Sequence, residues 1–425
     1  MVKVIVAHPH QQHSYKLAEA LQENEMLFSY ITTVYNKKGS LTQKVISLLK
    51  GELKQRAINR RNNNIDDSKV IQFGEFGGLF VLVLMRLVKN DKRIMNPVNK
   101  IIGNYFGKKV AKYAIKNDVD IVIGYDSECT KMFSYLKKKA PHIIRVMDVS
   151  AGNRLYLKEV YKKDFVTCPE FADRLKKEKN ELFSFTARKE MDDLKKEIED
   201  SDYFIVPSNF VKRSLYFSNV PESKMFYCNY GVELNAFSLK DYNDISYPIK
   251  FVYVGGIKQL KGVGYLLKAI SNLPKDKAQL TIVGAYDDSK DLKPYLDRVK
   301  FTGHIIHSEV VKILKESDVF VFPSLGDSFS LACLEAAAVG LPLIVSENTG
   351  MIDNVKDGIE GFIIPIQNSD EIEQKMQWYI EHPHKIKDMG INARKMAMNY
   401  SWDKYKRNIV DIIQHIYDNK NCKGK

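Results

Sequence analysis

Nothing in this sequence is long and apolar enough to cross a membrane as a helix. The longest apolar run, Leu79 to Met85, stops at Arg86, well short of the roughly 18 to 20 residues a bilayer span needs. The opening strand-like stretch Val2 to Ala7 meets His8 too soon to make a signal-peptide core. Cysteine is sparse: Cys129, Cys168, Cys228, Cys333 and Cys422 are scattered, odd in number and without disulfide or metal spacing. A disulfide scaffold is thereby excluded, and a reducing cytoplasm is the expected compartment. Zinc, helix-turn-helix and RNA-binding signatures are absent too, so nucleic acid is not an expected partner.

What is present is a chain of 425 residues, 44% apolar and 28% charged, enough for two domains with separate cores. The net charge of +13 is uneven: residues 1–200 hold 37 Lys and Arg against 25 Asp and Glu, leaving only +1 for the remainder. The surplus lies in runs such as Lys54 to Arg61, Val88 to Arg93 and Lys137 to Lys139, with the apolar, aromatic-bearing stretch Phe76 to Met85 among them. A basic face beside an apolar strip suits an anionic membrane surface or a phosphate-bearing partner. A lysine-rich surface over an ordinary core helix would give the same pattern.

Strand and helix signals alternate along the chain. Lys3 to Ala7, Met26 to Val34, Val119 to Asp126, His142 to Ser150 and Asp202 to Ser208 read as buried strands, with a mostly helical region over 41–117 and a charged helix over Ala187 to Asp200. Residues 231–248 read as a linker. The pattern then restarts with Lys250 to Gly256, Gln279 to Ala285, Val299 to His304, Asp318 to Ser324, Leu341 to Ser346 and Gly361 to Pro365. The expected architecture is α/β: two doubly wound, Rossmann-like domains facing a cleft, over 1–230 and 249–402. A C-terminal helix over 403–425 returns to the first domain.

The segment VFPSLGDSFSLACLEAAAVGLPLIV, Val321 to Val345, carries most of the chemistry. A strand leads through a polar loop into a helix whose first N–H groups are unpaired, and such an end attracts phosphate. Asp327 in the loop and Glu335 in the helix cannot hold a phosphate but can hold sugar hydroxyls beside it. Asp327 also has the alternative role of helix N-cap, and Glu335 that of a surface glutamate. Lys261 follows the turn Gly255–Gly256 and precedes Gly262 at a helix start, where a diphosphate would meet a cation and a closely approaching backbone. Together these features fit a nucleotide-sugar site.

The second half resembles the family 4 retaining glycosyltransferases of the GT-B fold. The likeness rests on six ordered segments, among them FVYVGGIKQLKGVGYLLKAI, VKFTGHI, DVFVFPS and GDSFSLACLEAAAVGLPLIVS, and spans about residues 195–405. It implies that Lys261 neutralises the donor diphosphate, Asp327 contacts the transferred sugar and Glu335 holds the ribose. It further implies that Ser328, Phe329, Ser330 and Leu331 offer N–H groups to the distal phosphate, and that Gly303 and His304 frame the base beside the close-approach glycine Gly284. Three departures stand out: Asp327 replaces the usual Glu, Gly256 occupies the place of a frequent Arg, and the first loop reads HPHQQHS instead of glycine-rich.

In that loop His10, Gln12 and His13 are expected acceptor contacts, as is Asp148 at a strand end. A structural role for the histidines is an equal alternative. Asp118 and Asp120 lie at the start of a strand, the wrong end for the cleft, so no essential metal and no other cofactor are expected. Tyr400, Trp402 and Tyr405 read as packing residues. The expected activity is hexosyl transfer from a nucleotide sugar to a hydroxyl acceptor, a lipid-linked glycan in polysaccharide assembly, at the cytoplasmic face of the membrane. The alternatives are a nucleotide-sugar epimerase and a non-catalytic glycosyltransferase-like partner subunit.

Overall fold

The computed structural model describes residues 2–10, 13–88, 92–168, 185–243, 245–285 and 292–423. Seven strands form the first sheet: Val4–Ala7 (β1), Leu27–Thr32 (β2), Val70–Gln72 (β3), Ile121–Tyr125 (β4), Ile144–Asp148 (β5), Tyr203–Val206 (β6) and Met225–Tyr227 (β7). Their order is β3-β2-β1-β4-β5-β6-β7, every pair parallel. The second sheet holds Ile249–Val254 (β8), Ala278–Val283 (β9), Val299–Gly303 (β10), Val319–Phe322 (β11), Leu343–Ser346 (β12) and Gly361–Ile364 (β13). Its order is β10-β9-β8-β11-β12-β13, again all parallel. The central strands β1, β4, β5, β11 and β12 are buried along their whole length. Helices cover both faces of such a sheet, which is why these strands are continuous apolar runs without alternation.

Both sheets reverse their strand order beside their first strand, β1 against β4 and β8 against β11. Loops leaving such neighbours turn to opposite faces and open a crevice at the carboxyl ends of the strands. The expected pair of doubly wound domains is therefore the observed fold. Two short strands lie where the sequence reads otherwise. Val70–Gln72 interrupts the region expected to be helical, and Met225–Tyr227 lies in the crossing towards the second domain. Each has three residues, too few for an alternation to register, and each is held by pairing to a longer neighbour. The apolar stretch Phe76 to Met85 is helical within Glu75–Leu87, but only Gly78 and Val81 are buried there, so it is not a core helix.

The last helix, Trp402–Lys423, packs on Ser14–Glu23 of the first domain, with Lys406 reaching both Glu19 and Glu23. Other bonds across the two halves include Ser208 Oγ donating to the Ser328 carbonyl at 2.5 Å and Tyr156 Oη against the Asn348 amide at 3.1 Å.

The segment after Gly231 is fixed in place. Tyr242 Oη donates to the Gly340 carbonyl at 2.7 Å, and buried Lys240 meets Asp318 Oδ1 at 3.0 Å and the Ser317 carbonyl. Removing one partner of a buried pair strands the other charge. Lys240→Ala is therefore expected to cost about 3 kcal/mol, read as a lowered urea midpoint with an unchanged slope.

Candidate active site

The loop after β8 is drawn into position by glycine. Gly255 N–H donates to the Val283 carbonyl at 2.9 Å and Gly284 N–H to the Gly303 carbonyl at 3.1 Å. A Cβ on Gly284 would stand 1.9 Å from the Gly255 carbonyl oxygen, so the ends of β8, β9 and β10 close together only with glycine there. A short turn, Gln259–Lys261, then ends at Gly262, whose φ is +69° and whose Cβ would stand 1.8 Å from the Pro323 carbonyl oxygen. The Leu260 carbonyl accepts from Leu325 N–H at 2.8 Å and from Ser324 Oγ at 3.1 Å. These contacts bind the loops after β8 and β11 together, and across them Lys261 Nζ is ion-paired with Asp327 Oδ2.

Asp327 is held by its backbone on both sides. Its N–H donates to the Asn348 carbonyl at 2.9 Å, and its carbonyl accepts from Gly350 N–H at 3.1 Å. The helix that follows runs Leu331–Val339, and the residue in the capping position is Ser330, not Asp327. Ser330 is left-handed, with φ 64° and ψ 64°, and its hydroxyl donates to Asp327 Oδ1 at 2.6 Å instead of capping the helix. Strained backbone of this kind concentrates at ligand sites. The N–H groups of Phe329, Ser330, Leu331 and Ala332 find no acceptor among the described residues. With the helix dipole behind them, they form an anion seat beside Lys261. Phe329 contributes backbone alone, because its ring is buried against Tyr230 at 5.4 Å.

Glu335 lies one turn deeper, about 6 Å along the helix axis. Burial raises its carboxyl pKa, which the neighbouring His307 lowers in part. His307 Nε2 stands 3.2 Å from Glu335 Oε1. His307 lies outside the motif segments, three residues after the expected site residue His304, and only the fold brings it to Glu335. Gly303 ends β10 with φ +71° and His304 follows it exposed, at the rim. A Cβ on Gly256 would meet only Lys258 Cε, at 3.9 Å.

The first domain answers with residues from the ends of β1, β4 and β5. His13 Nε2 is 2.9 Å from Asp148 Oδ2, and the His13 ring lies 4.3 Å from that of Tyr230. Asp148 is wholly buried, so it reaches the cleft only through His13 and does not present its own carboxylate to an acceptor. Asp148 Oδ1 and the hydroxyls of Tyr125, Tyr230 and Tyr405 are buried with no hydrogen-bond partner among the described residues. His8 is buried and accepts from His10 N–H at 2.9 Å, a structural role, whereas His10 keeps 47% of its side chain exposed. Gln12 lies outside the described residues.

A cavity of about 540 Å³ opens where the two domains and the last helix meet. Its lining includes His13, Tyr15, Arg61, Asn63, Leu331 and Trp402. Trp402 packs against the core as expected and also borders this cavity, while Tyr405 is buried as expected. Asp118 and Asp120 lie at the other end of β4, where Asp120 accepts from Lys3 N–H at 2.8 Å. Among the described residues no cluster of His, Cys, Asp and Glu has the makings of a metal site.

No sequence motif marks the acidic turn after β4. Glu128 faces His10 at 3.8 Å, and burial, Glu197 and Asp126 push its carboxyl up to about 8. A carboxyl raised in this way is protonated at neutral pH, and ionising it opposes folding. Its contribution is complete below the ordinary value of 4.5 and is lost as pH rises through about 8. Glu128→Gln is expected to flatten the decline of thermal stability across that window. At Gly262, alanine would meet both the left-handed φ and the Pro323 carbonyl. Gly262→Ala should lose at least about 2 kcal/mol, measured by chemical denaturation.

Residues 239–396 match the family described as Glycosyl transferases group 1. The amylovoran biosynthesis glycosyltransferase AmsK of Erwinia amylovora is 30% identical over 159 residues, 34% of this chain and 39% of that protein. The chain spans about half the length of the curated relatives it matches, or less. Sucrose-phosphate synthase from Thermosynechococcus elongatus superimposes with a TM-score of 0.65 at 15% identity, over 98% of this chain and 100% of that one. Anabaena HepE in complex with UDP and glucose gives 0.62 at 13% identity, over 97% and 100%. Both likenesses concern the fold.

Proposed function

We propose that this chain transfers a sugar from a nucleoside diphosphate donor to a hydroxyl acceptor, with retained anomeric configuration. The observation that carries the reading is the convergence of Lys261, Asp327 and the unpaired N–H groups of Phe329 to Ala332, with Glu335 one turn deeper. The group 1 match over this segment supports the same chemistry. The diphosphate would sit on the helix N-terminus and draw Lys261 from Asp327, freeing that carboxylate to hold the sugar. Glu335 would hold the ribose, and Gly303 and His304 would border the base. In the front-face reaction the bond from the anomeric carbon to the phosphate oxygen breaks, and the bond to the acceptor oxygen forms on the same side. The acceptor proton passes to the leaving phosphate oxygen. Lys261 and the helix N-terminus supply the positive charge that the leaving group needs, so the charge balance calls for no metal ion.

The acceptor would enter from the first domain, past His10 and His13 into the cavity bordered by Arg61, Asn63 and Trp402. A lipid-linked glycan in cell-surface polysaccharide assembly is the acceptor we favour. The relative named for amylovoran biosynthesis and the basic N-terminal domain both support it, with that domain facing the cytoplasmic side of an anionic membrane. The presence of Lys261, Asp327 and Glu335 together speaks against a non-catalytic partner. An epimerase would differ in consuming donor without an acceptor.

Thermal shift of the whole chain with UDP, GDP, ADP and TDP, with and without EDTA, tests the donor site. One nucleotide class should stabilise the protein irrespective of EDTA, as UDP bound to a structural neighbour illustrates. Lys261→Ala and Glu335→Ala should each weaken that nucleotide by roughly 10- to 100-fold. No shift with any nucleotide would overturn the reading, and a shift abolished by EDTA would overturn its metal-free form.

A further inference from the structure

The helices Glu75–Leu87 and Lys92–Lys116 form a hairpin on the first domain. On the first helix Phe76, Phe80, Val83 and Leu87 are all exposed, Phe76 and Leu87 at 76% and 75%. Their recurrence at i, i+4, i+7 and i+11 places them on one face. On the second, Ile94, Ile101 and Tyr105 are exposed at the same kind of spacing, Ile101 at 70%. Beyond Tyr105 the exposed positions turn basic: Lys108, Lys109, Lys112 and Lys116. The opposite side of the hairpin is seated firmly. A Cβ on Gly78 would stand 2.7 Å from both Thr33 Oγ1 and Val34 Cγ2, so the helix backbone lies directly on the chain leaving β2.

Charge identifies the partner. Residues 75–116 hold 9 Lys and Arg against 2 Asp and Glu, an excess of 7 within a whole-chain net charge of +13. A second copy of so basic a face would be repelled, whereas an anionic lipid surface is attracted. The helix Glu75–Leu87 has 13 residues, about 20 Å of length, too short to span a bilayer but suited to lying at its interface. We infer that this hairpin inserts its apolar face into an anionic lipid bilayer, with Lys108 to Lys116 reaching the headgroups. Its inner side borders a small pocket lined by Pro9, His10, Thr33, Gly78, Val81 and Glu128. Insertion would therefore set the first-domain side of the cleft at the membrane surface. This deepens the reading of a lipid-linked acceptor and rests on it for its purpose, although the binding is a property of the hairpin alone.

Co-sedimentation of the full chain with vesicles tests the inference. Vesicles of phosphatidylcholine with about one-third phosphatidylglycerol should carry the protein down, and phosphatidylcholine alone should not. Part of the binding should survive high salt, because apolar insertion is not screened. The double variant Phe80→Asp, Leu87→Asp should bind at least roughly tenfold more weakly, while its melting temperature and nucleotide-induced shift stay at wild-type values. Absence of binding to anionic vesicles, binding indifferent to the double variant, or binding lost entirely in salt would each overturn insertion. A wild-type dimer converted to monomer by the same variant would overturn it in favour of self-association. Vesicle binding without any nucleotide shift would sink the transferase reading alone, and the reverse result would sink the hairpin's role alone.

Discussion

The ion pair between Lys261 and Asp327 joins the two loops that leave the second sheet where its strand order reverses, and the rest of the donor side is arranged around it. The pair forms because the Leu260 carbonyl is tied to the loop after β11 and because Gly262 lets that loop approach. Asp327 in turn holds the hydroxyl of Ser330, whose left-handed backbone opens the helix. One carboxylate thus sets both the cation and the first free N–H groups of the anion seat. Partly buried charges of opposite sign stay together until something more anionic arrives. A diphosphate is such a partner, and it would exchange the Asp327 contact for several phosphate oxygens.

The first domain repeats the topology with different chemistry. Its reversal point also lies beside the first strand, but the loop there carries histidines instead of glycines. His13 is instead braced by buried Asp148 and by the ring of Tyr230, which touches Phe329 of the donor loop. Two aromatic contacts thus link the loop before the helix Leu331–Val339 to His13 of the first domain. The acidic turn at Asp126 and Glu128 completes this side, with the Glu128 carboxyl held neutral by burial and then by its acidic neighbours.

Charge is segregated as the chemistry would require. The excess of basic residues lies in the segment that bears the hairpin, away from the donor helix, whose anion seat consists of backbone groups and one lysine. A protein that bound its donor by a general basic surface would have its nucleotide and an anionic membrane competing for the same groups. On the proposed function, the two attractions would act on different elements of the fold.

Much was legible in the sequence because the signals are local. Continuous apolar runs marked all the long strands, and the alternation of strand and helix marked two doubly wound domains. The glycine turn before Lys261 and the loop before Glu335 marked the donor side, since a phosphate seat needs a strand, a tight turn and a helix start in close succession. The short edge strands at Val70 and Met225 were not legible, because three residues form a strand only when a longer neighbour pairs with them. Nor was the partner of any site residue. Lys261 and Asp327 are 66 positions apart, His13 and Asp148 135, and Tyr156 and Asn348 192. Composition gave the charge excess and the apolar stretch, but whether Phe76 to Leu87 faced the core or solvent was settled only when Gly78 seated the helix on β2's exit. Local pattern, then, determined the elements and the kind of site. Tertiary structure decided which side chains meet, which carboxylates are buried, and which apolar face was left exposed, because those depend on distances that no stretch of sequence contains.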